Sequence, residues 1–179
     1  MKRKIIVASL AACLVAVLGV GTWAYFTATA TATNVVTVGD VSIRLVDRVD
    51  EQAAHGMAPG QSVSKTVFVE NDGSNPAWVR VRLDVDVRSA DGEALSADPV
   101  TLHAAAPKAW ADGGDGWRYL STALAAGASS VALVDAVSLD SAAGNEYAGA
   151  QITVTAYAQA VQSKNNGASY GDVRGWPEG

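Results

Sequence analysis

Residues 78–88, WVRVRLDVDVR, alternate apolar and charged side chains along their whole length. The apolar members stand at every second position, and the positions between them carry Arg or Asp. A period of two places one set on each face of a β-strand, so the segment predicts a strand with one buried and one solvated face. This pattern favours an antiparallel sheet, because parallel strands are usually apolar on both faces.

Similar patterns predict further strands at residues 34–49, 62–70, 116–120, 129–140 and 150–162. The first of these is either one strand or two short strands broken at Gly39 and Asp40. The segment 129–140 changes phase near Val134, which predicts a bulge. A short helix has room within residues 101–110. Turn-forming segments rich in Gly, Asn, Asp and Pro separate the strands, so we expect one all-β domain, an antiparallel β-sandwich of jelly-roll or immunoglobulin-like type.

The N-terminus has the order of a secretory signal peptide, which we expect to be helical: the basic MKRK, an uncharged apolar run over residues 5–20, and then small residues. A transmembrane anchor needs about 20 apolar residues. Counting on to Phe26 gives 22 residues without a charge, so an uncleaved anchor is the alternative.

Cys13 is the only cysteine of the chain and lies within this apolar run. Removal of the signal peptide would leave no thiol, and therefore no disulfide or cysteine metal site. The letters LAAC that end at Cys13 resemble a lipoprotein cleavage box, which leaves lipidation as an alternative. Loss of Lys2, Arg3 and Lys4 would leave ten basic against 18 acidic residues, a net charge of −8. This balance suits a secreted protein and argues against binding to nucleic acid.

Few residues carry a recognisable chemical motif. The two histidines, His55 and His103, show no metal-binding spacing and are interpreted as loop or surface residues. The loop DGGDG could hold calcium through Asp112 and Asp115, but it lacks the further carboxylates of a calcium loop and is interpreted as a glycine turn. We therefore predict no cofactor, no metal site and no catalytic residue.

The aromatic residues and the charged face of the 78–88 strand each allow two interpretations. The aromatics are either core residues or a platform on which a sugar could stack, which would make the chain a carbohydrate-binding or other ligand-binding module. The charged positions 80–88 form either a solvated sheet face or a partner surface. The aromatic residues in question are Trp78, Trp110, Trp117, Tyr119 and Tyr157.

Residues 2–45 resemble the signal peptide and first strand of the TasA/camelysin family. The shared features are a Lys/Arg start, an apolar run that ends in glycines, and GTWAYF followed by a Thr/Ala/Asn stretch and GDVSIRL. Residues 59–83 and 144–167, and the GWP at 175–177, also resemble this family, so the resemblance spans nearly the whole chain.

The resemblance implies export with a signal peptidase of the SipW type, which would cut around Ala24, Tyr25 and Phe26. An A-x-A rule alone also allows a cut after Ala30. We therefore expect a protein secreted to the cell surface or extracellular matrix of a Gram-positive bacterium. Its contact with the membrane would be through the signal peptide, before cleavage.

The expected domain organisation follows from this cut. Residues 1–25 form the signal peptide, and residues 26–179 form the β-sandwich. Residues 26–34 begin the mature chain as an N-terminal strand or as a spacer.

The resemblance also implies a jelly-roll-like sandwich and fibres of the biofilm matrix. After cleavage the chain would begin FTATATATNVVTV, a strand-forming stretch with no charge before Asp40. Such a strand can pair within its own sheet or add to the sheet of a neighbouring subunit, and repeated addition without closure grows a filament. The candidate donor strand contains Thr27, Thr29, Thr31, Thr33 and Val35.

The expected function is that of a non-enzymatic structural protein that associates with itself or with other matrix proteins. The chain is shorter than the fibre-forming members of the family, so a fibre adaptor is a second form of this role. A camelysin-like surface metallopeptidase is an alternative that the resemblance also implies.

Overall fold

A computed structural model describes residues 27–38, 41–50, 54 and 57–177. The predicted signal peptide, its cleavage residues and His55 lie outside the described residues. Within those ranges, no helix has the length and apolar character that a membrane crossing requires.

The described chain folds into strands joined by turns, with two single 3₁₀ turns at Asn145–Tyr147 and Tyr170–Asp172. The strands are β1 (Thr27–Val38), β2 (Ile43–Val49), β3 (Ser62–Asn71), β4 (Ala77–Arg88), β5 (Ala94–Leu95), β6 (Val100–Ala104), β7 (Trp110–Asp112), β8 (Arg118–Leu120), β9 (Val134–Leu139) and β10 (Gln151–Gln162).

These strands form two sheets. A six-stranded sheet has the order β1-β10-β4-β8-β7, with β5 paired to β4, and a four-stranded sheet has the order β2-β3-β9-β6. The pairings are antiparallel except for that of β1 with β10, which is parallel. The predicted all-β class and antiparallel sheets are confirmed.

The core lies between the two sheets and receives apolar side chains from both. Val67 and Val69 of β3 pack in one cluster with Val79 and Val81 of β4, and with alanines of β10. The alternation that predicted β4 is confirmed, since Val79, Val81 and Val87 are buried whereas Asp84 is exposed. Burial of each such valine stabilises the fold by about 1.5–3 kcal/mol.

Two of the ambiguous segments are resolved. The stretch 34–49 forms two strands, β1 and β2, rather than one. The predicted bulge in β9 is present in the pairing with β6, because His103 pairs with Ala136 and Ala104 with Val134, which leaves Asp135 as the extra residue. The prediction that a short helix could form within residues 101–110 was wrong, because this stretch contains β6, a turn and the first residue of β7.

Candidate functional site

The N-terminal strand β1 lies at one edge of the six-stranded sheet and is bonded along its length to β10. The parallel register runs from Thr27 opposite Gln151 to Val38 opposite Val161. It comprises eleven residue pairs and contains one irregularity, between Ala32 and Asn34.

The candidate donor residues follow this register. Thr29 stands opposite Thr153 and Thr31 opposite Thr155, while Thr33 falls at the irregularity. Val35 stands opposite Ala158, and it is 36% exposed. The single chain thus places this stretch as a strand of its own sheet, which is one of the two pairings that the sequence allowed.

Arg80 of β4 is the centre of a polar and aromatic cluster on the outer face of the same sheet. Its Nε and Nη2 donate to Gln159 Oε1 at 2.8 and 2.6 Å, and its Nη1 donates to Tyr119 Oη at 3.0 Å. The guanidinium carbon lies 4.4 Å from the ring centroid of Trp117 and 4.7 Å from that of Trp176. Only 11% of the Arg80 side chain is exposed. Hydrogen bonds and cation–π contacts therefore replace most of its water.

The C-terminal segment, residues 163–177, covers this outer face. Trp78 Nε1 donates to the Asn166 carbonyl oxygen at 2.8 Å. The Asn166 side chain accepts from Arg174 N at 3.0 Å and donates to the Arg174 carbonyl oxygen at 2.9 Å. Val173 packs against Trp78 in a small apolar cluster. The segment that follows β10 is therefore fixed on the sheet, and it carries Trp176 onto Arg80.

Asp115 joins the loop before β8 to this cluster. Its Oδ2 accepts from Tyr119 Oη at 2.7 Å and its Oδ1 accepts from Trp117 N at 3.0 Å. Burial alone would raise the pKa of Asp115, but these two hydrogen bonds and the charge of Arg80 lower it below its ordinary value. Burial and the hydrogen bond to Asp115 raise the pKa of Tyr119.

The other loop carboxylate, Asp112, has different partners. Its Oδ1 accepts from Gly114 N at 2.9 Å and its Oδ2 pairs with Arg118 Nη1 at 2.7 Å. The side chains of Asp112 and Asp115 thus each accept a hydrogen bond from the backbone of their own turn and contact a nearby side chain of β8. This arrangement is that of a turn stabilised by its own side chains.

The aromatic residues considered as a sugar platform do not share one surface. Trp110 packs in the core between the sheets, whereas Trp117 and Tyr119 lie on the outer face beside Arg80. Trp78 lies beneath the C-terminal segment. Trp110, Trp117, Tyr119 and Trp78 are each less than 9% exposed. The interpretation as core and core rim fits these positions, and a platform built from all five aromatics is wrong.

A zinc centre would need several neighbouring ligands, usually three or four. In the described ranges no three His, Cys, Asp or Glu residues are grouped so that they could hold a metal ion. His103 of β6 is exposed, and its Nε2 shares a hydrogen bond of 2.8 Å with Ser138 Oγ of β9. Within the part of the chain that the structure describes, His103 and its neighbours therefore do not fit a catalytic zinc site.

A cavity of about 320 Å³ opens between the sheets beside β6 and β8. Apolar side chains and the charged Arg118 both line it. Its volume falls at the small end of the range of about 300–1,000 Å³ for ligand pockets. The residues around it include Leu83, Leu102, Pro107, Trp110, Leu133 and Val134.

Sequence reasoning did not predict the burial of two charged residues, Arg80 and Lys65. It interpreted the charged face of β4, which includes Arg80, as a solvated face or a partner surface, because alternation along β4 does not show that a distant segment returns to cover that face. It also passed over Lys65, which stands between Val63 and Val67 at an inward-facing position of β3. The second signal was readable in the alternation of SVSKTVFVE.

The comparisons with known proteins bear on the family of the chain. The sequence model of the family described as Camelysin metallo-endopeptidase matches residues 1–99, which is more than half of the chain. No curated protein and no solved structure matches. The resemblance inferred from the sequence is confirmed, and members of this family are extracellular or surface proteins of Gram-positive bacteria. The chain therefore belongs to the camelysin metallo-endopeptidase family.

Proposed function

We propose that this chain is an exported, non-enzymatic structural protein of the cell surface or extracellular matrix, which assembles by donating β1 to a neighbouring subunit or acts as a fibre adaptor. The observation that carries the proposal is the position of β1. It is the first described strand of the chain and also an edge strand of its sheet.

A strand in this position can be exchanged without reordering the rest of the sheet. The pairing with β10 is made by backbone groups, and β10 of a second copy offers the same eleven positions. Exchange of an identical element between protomers costs little, because the bonds lost within one chain are regained between two. Head-to-tail exchange without closure would produce a filament.

Export would control this step. While the signal peptide is attached, β1 remains tethered close to the membrane, where it cannot reach a neighbour's sheet freely. Cleavage by a SipW-type peptidase around Ala24, Tyr25 and Phe26 would release the strand. The partners of the mature protein are then other copies of itself or other matrix proteins.

Negative-stain microscopy tests the proposal with two purified proteins, residues 26–179 and residues 35–179. The shorter protein lacks residues 27–34 of β1 and keeps the rest of the chain. Filaments from the longer protein and none from the shorter would support donation of β1. Monomers from both, with β-rich circular dichroism retained, would overturn strand donation and leave the adaptor role.

A metallo-endopeptidase is the second candidate, and the description of the matched family favours it. It predicts casein cleavage that a chelator abolishes and zinc restores. Such cleavage by the purified mature protein would overturn the non-enzymatic role. A variant His103→Ala would then show whether the histidine of β6 takes part.

A further inference from the structure

Two charged residues interrupt the apolar faces of β2 and β3. The side chains of β2 that face the core are Ile43, Leu45, Asp47 and Val49, and those of β3 include Val63, Lys65, Val67 and Val69. Asp47 and Lys65 therefore occupy core-facing positions, where the two-residue alternation of a strand predicts apolar residues. One acid and one base occupy neighbouring core positions on paired strands.

These two side chains are in direct contact. Lys65 Nζ lies 2.6 Å from Asp47 Oδ1, and the side chains of Lys65 and Asp47 are only 2% and 1% exposed. In the register, Asp47 stands opposite Val67 and Lys65 opposite Val49, so the two are diagonal neighbours in the sheet. Both residues can thus reach each other without a change in backbone pairing.

The second oxygen of Asp47 makes the site unusual as an ion pair. Among the described residues, Asp47 Oδ2 is buried and has no hydrogen-bond partner. A buried ion pair offsets its desolvation only when its remaining donors and acceptors are satisfied. The buried Asn71 at the end of β3 differs, since its amide donates to the carbonyl oxygens of Asn75 and Leu124 and accepts from Gly73 N.

We propose that Lys65 and Asp47 form an intramolecular isopeptide bond. The bond that forms joins Lys65 Nζ to Asp47 Cγ, and the bond that breaks joins Cγ to one carboxylate oxygen. That oxygen leaves as water with two of the three ammonium protons, and the third proton stays on the amide nitrogen. The reaction conserves charge and needs no oxidant, reductant or external group.

Three features of the site favour this condensation. The reacting groups are held at contact distance, which gives the high effective concentration of an intramolecular reaction. The site excludes bulk water, so the water that leaves is not replaced by solvent that would reverse the step. The product also removes two buried charges and one carboxylate oxygen, and a neutral amide is cheaper to bury than an incompletely bonded ion pair.

The bond would covalently link β2 to β3. It would close a loop that contains residues 48–64, which lie between the two linked positions. A cross-link within a folded chain restricts the unfolded ensemble and therefore stabilises the fold. This would supply a covalent tie to a mature chain that the signal cleavage leaves without cysteine. The inference is independent of strand donation by β1.

Mass spectrometry of the purified mature protein tests the proposal. The expected intact mass is that of the sequence less one water molecule, relative to the N-terminus actually found. Trypsin does not cut after an acylated lysine, so digestion should yield residues 45–48 joined to residues 49–80 as one branched peptide. Fragmentation of this peptide should place the link between Lys65 and Asp47.

Matched variants separate this bond from other losses of water. Lys65→Arg and Asp47→Ala should each restore the full mass, and Lys108→Arg, at an exposed lysine, should keep the loss of water. A native intact mass equal to that of the sequence, with ordinary tryptic cleavage after Lys65, would overturn the proposal and leave a buried ion pair. A loss of water that persists in Lys65→Arg would also overturn it.

Discussion

Gln159 of β10 holds the guanidinium of Arg80 on β4 through a single amide oxygen, which accepts from Nε at 2.8 Å and from Nη2 at 2.6 Å. The two residues stand directly opposite each other in the antiparallel register. The glutamine thus fixes the plane of the guanidinium, and this plane contacts the rings of Trp117 and Trp176. One cross-strand pair therefore connects the sheet to the C-terminal segment.

Arg80→Lys should lower the free energy of unfolding by about 2–3 kcal/mol, because lysine keeps the charge but loses the planar fork and the ring contacts. Urea unfolding of both proteins measures the difference. Arg88→Lys is the matched control, since Arg88 lies at the exposed end of the same strand and pairs only with Asp86 among the hydrogen bonds observed. Equal effects of the two substitutions would contradict a special role for Arg80.

Asp115→Asn should flatten the dependence of stability on acid pH. The pKa of Asp115 is lowered in the folded protein, because hydrogen bonds from Tyr119 and Trp117 outweigh the opposing effect of burial. Its contribution is therefore complete above the unfolded value of about 3.9, and it is lost as pH falls through the lower folded value. Urea unfolding between pH 7 and pH 2 checks this. An identical acid profile for variant and parent would refute the assignment.

Tyr119→Phe should flatten the alkaline side of the same curve. The pKa of Tyr119 is raised, first by burial and then by its hydrogen bond to Asp115. A raised pKa stabilises the fold below the unfolded value of about 10, and this contribution is lost as pH rises through the folded value. Tyrosinate absorbance during alkaline titration gives a direct reading. Tyr157→Phe, on the same face, serves as the comparison.

Trp176→Ala should loosen the C-terminal segment. Trp176 packs edge-on to Tyr119 with ring centroids 5.6 Å apart and stacks on Arg80. Loss of these contacts should cost about 1–2 kcal/mol and speed tryptic cleavage after Arg174 and Lys164. Limited proteolysis followed by mass spectrometry measures the cleavage rates. Trp176→Phe keeps a ring and should lie between the two; unchanged rates in Trp176→Ala would count against a fixed segment.

Cross-linking can distinguish donation of β1 from its pairing within one chain. Thr29 stands opposite Thr153, so cysteines at these positions should be joined by a short bis-maleimide. If β1 is donated, Thr29→Cys protein mixed with separately tagged Thr153→Cys protein should give a mixed dimer. If β1 stays in its own sheet, only the double variant should react, and within one chain.

A control pair separates register-specific linking from chance encounters. Thr101 of β6 lies in the other sheet and is exposed. Thr29→Cys mixed with Thr101→Cys should therefore give little mixed dimer. Equal yields from both mixtures would remove the support for a donated strand.

The alternation of apolar and polar residues was sufficient to predict the strands that have one buried face. The alternation in β4 predicted its buried and exposed faces, and the phase change near Val134 predicted the bulge that β9 shows in its pairing with β6. The parallel pairing of β1 with β10 could not be read from either segment, because it joins residues more than a hundred positions apart. Short strands such as β5 and β7 arise from their neighbours rather than from a pattern of their own.

The polar clusters were harder to predict because they depend on side chains from several elements. The outer face of β4 looks solvated in sequence, but side chains of β8 and β10 and the return of residues 163–177 together bury Arg80. Lys65 and Asp47 are visible as charges in apolar phases, but their contact requires the register of β2 with β3. Alternation therefore identified the charged positions, whereas the pairing of strands and the return of the C-terminal segment determined which contacts those residues make.

The parallel pairing of the first described strand with β10 has a mechanical consequence. Because β1 and β10 run in the same direction, the chain enters β1 at one end of the pair and leaves β10 at the opposite end. Tension applied between the two ends of the chain would act along the strands and load their hydrogen bonds together in shear. Hydrogen bonds loaded in shear must break almost simultaneously, whereas hydrogen bonds peeled from one end break one after another. Force that reaches β1 and β10 through the chain ends would thus be resisted by the whole pair rather than by one bond after another.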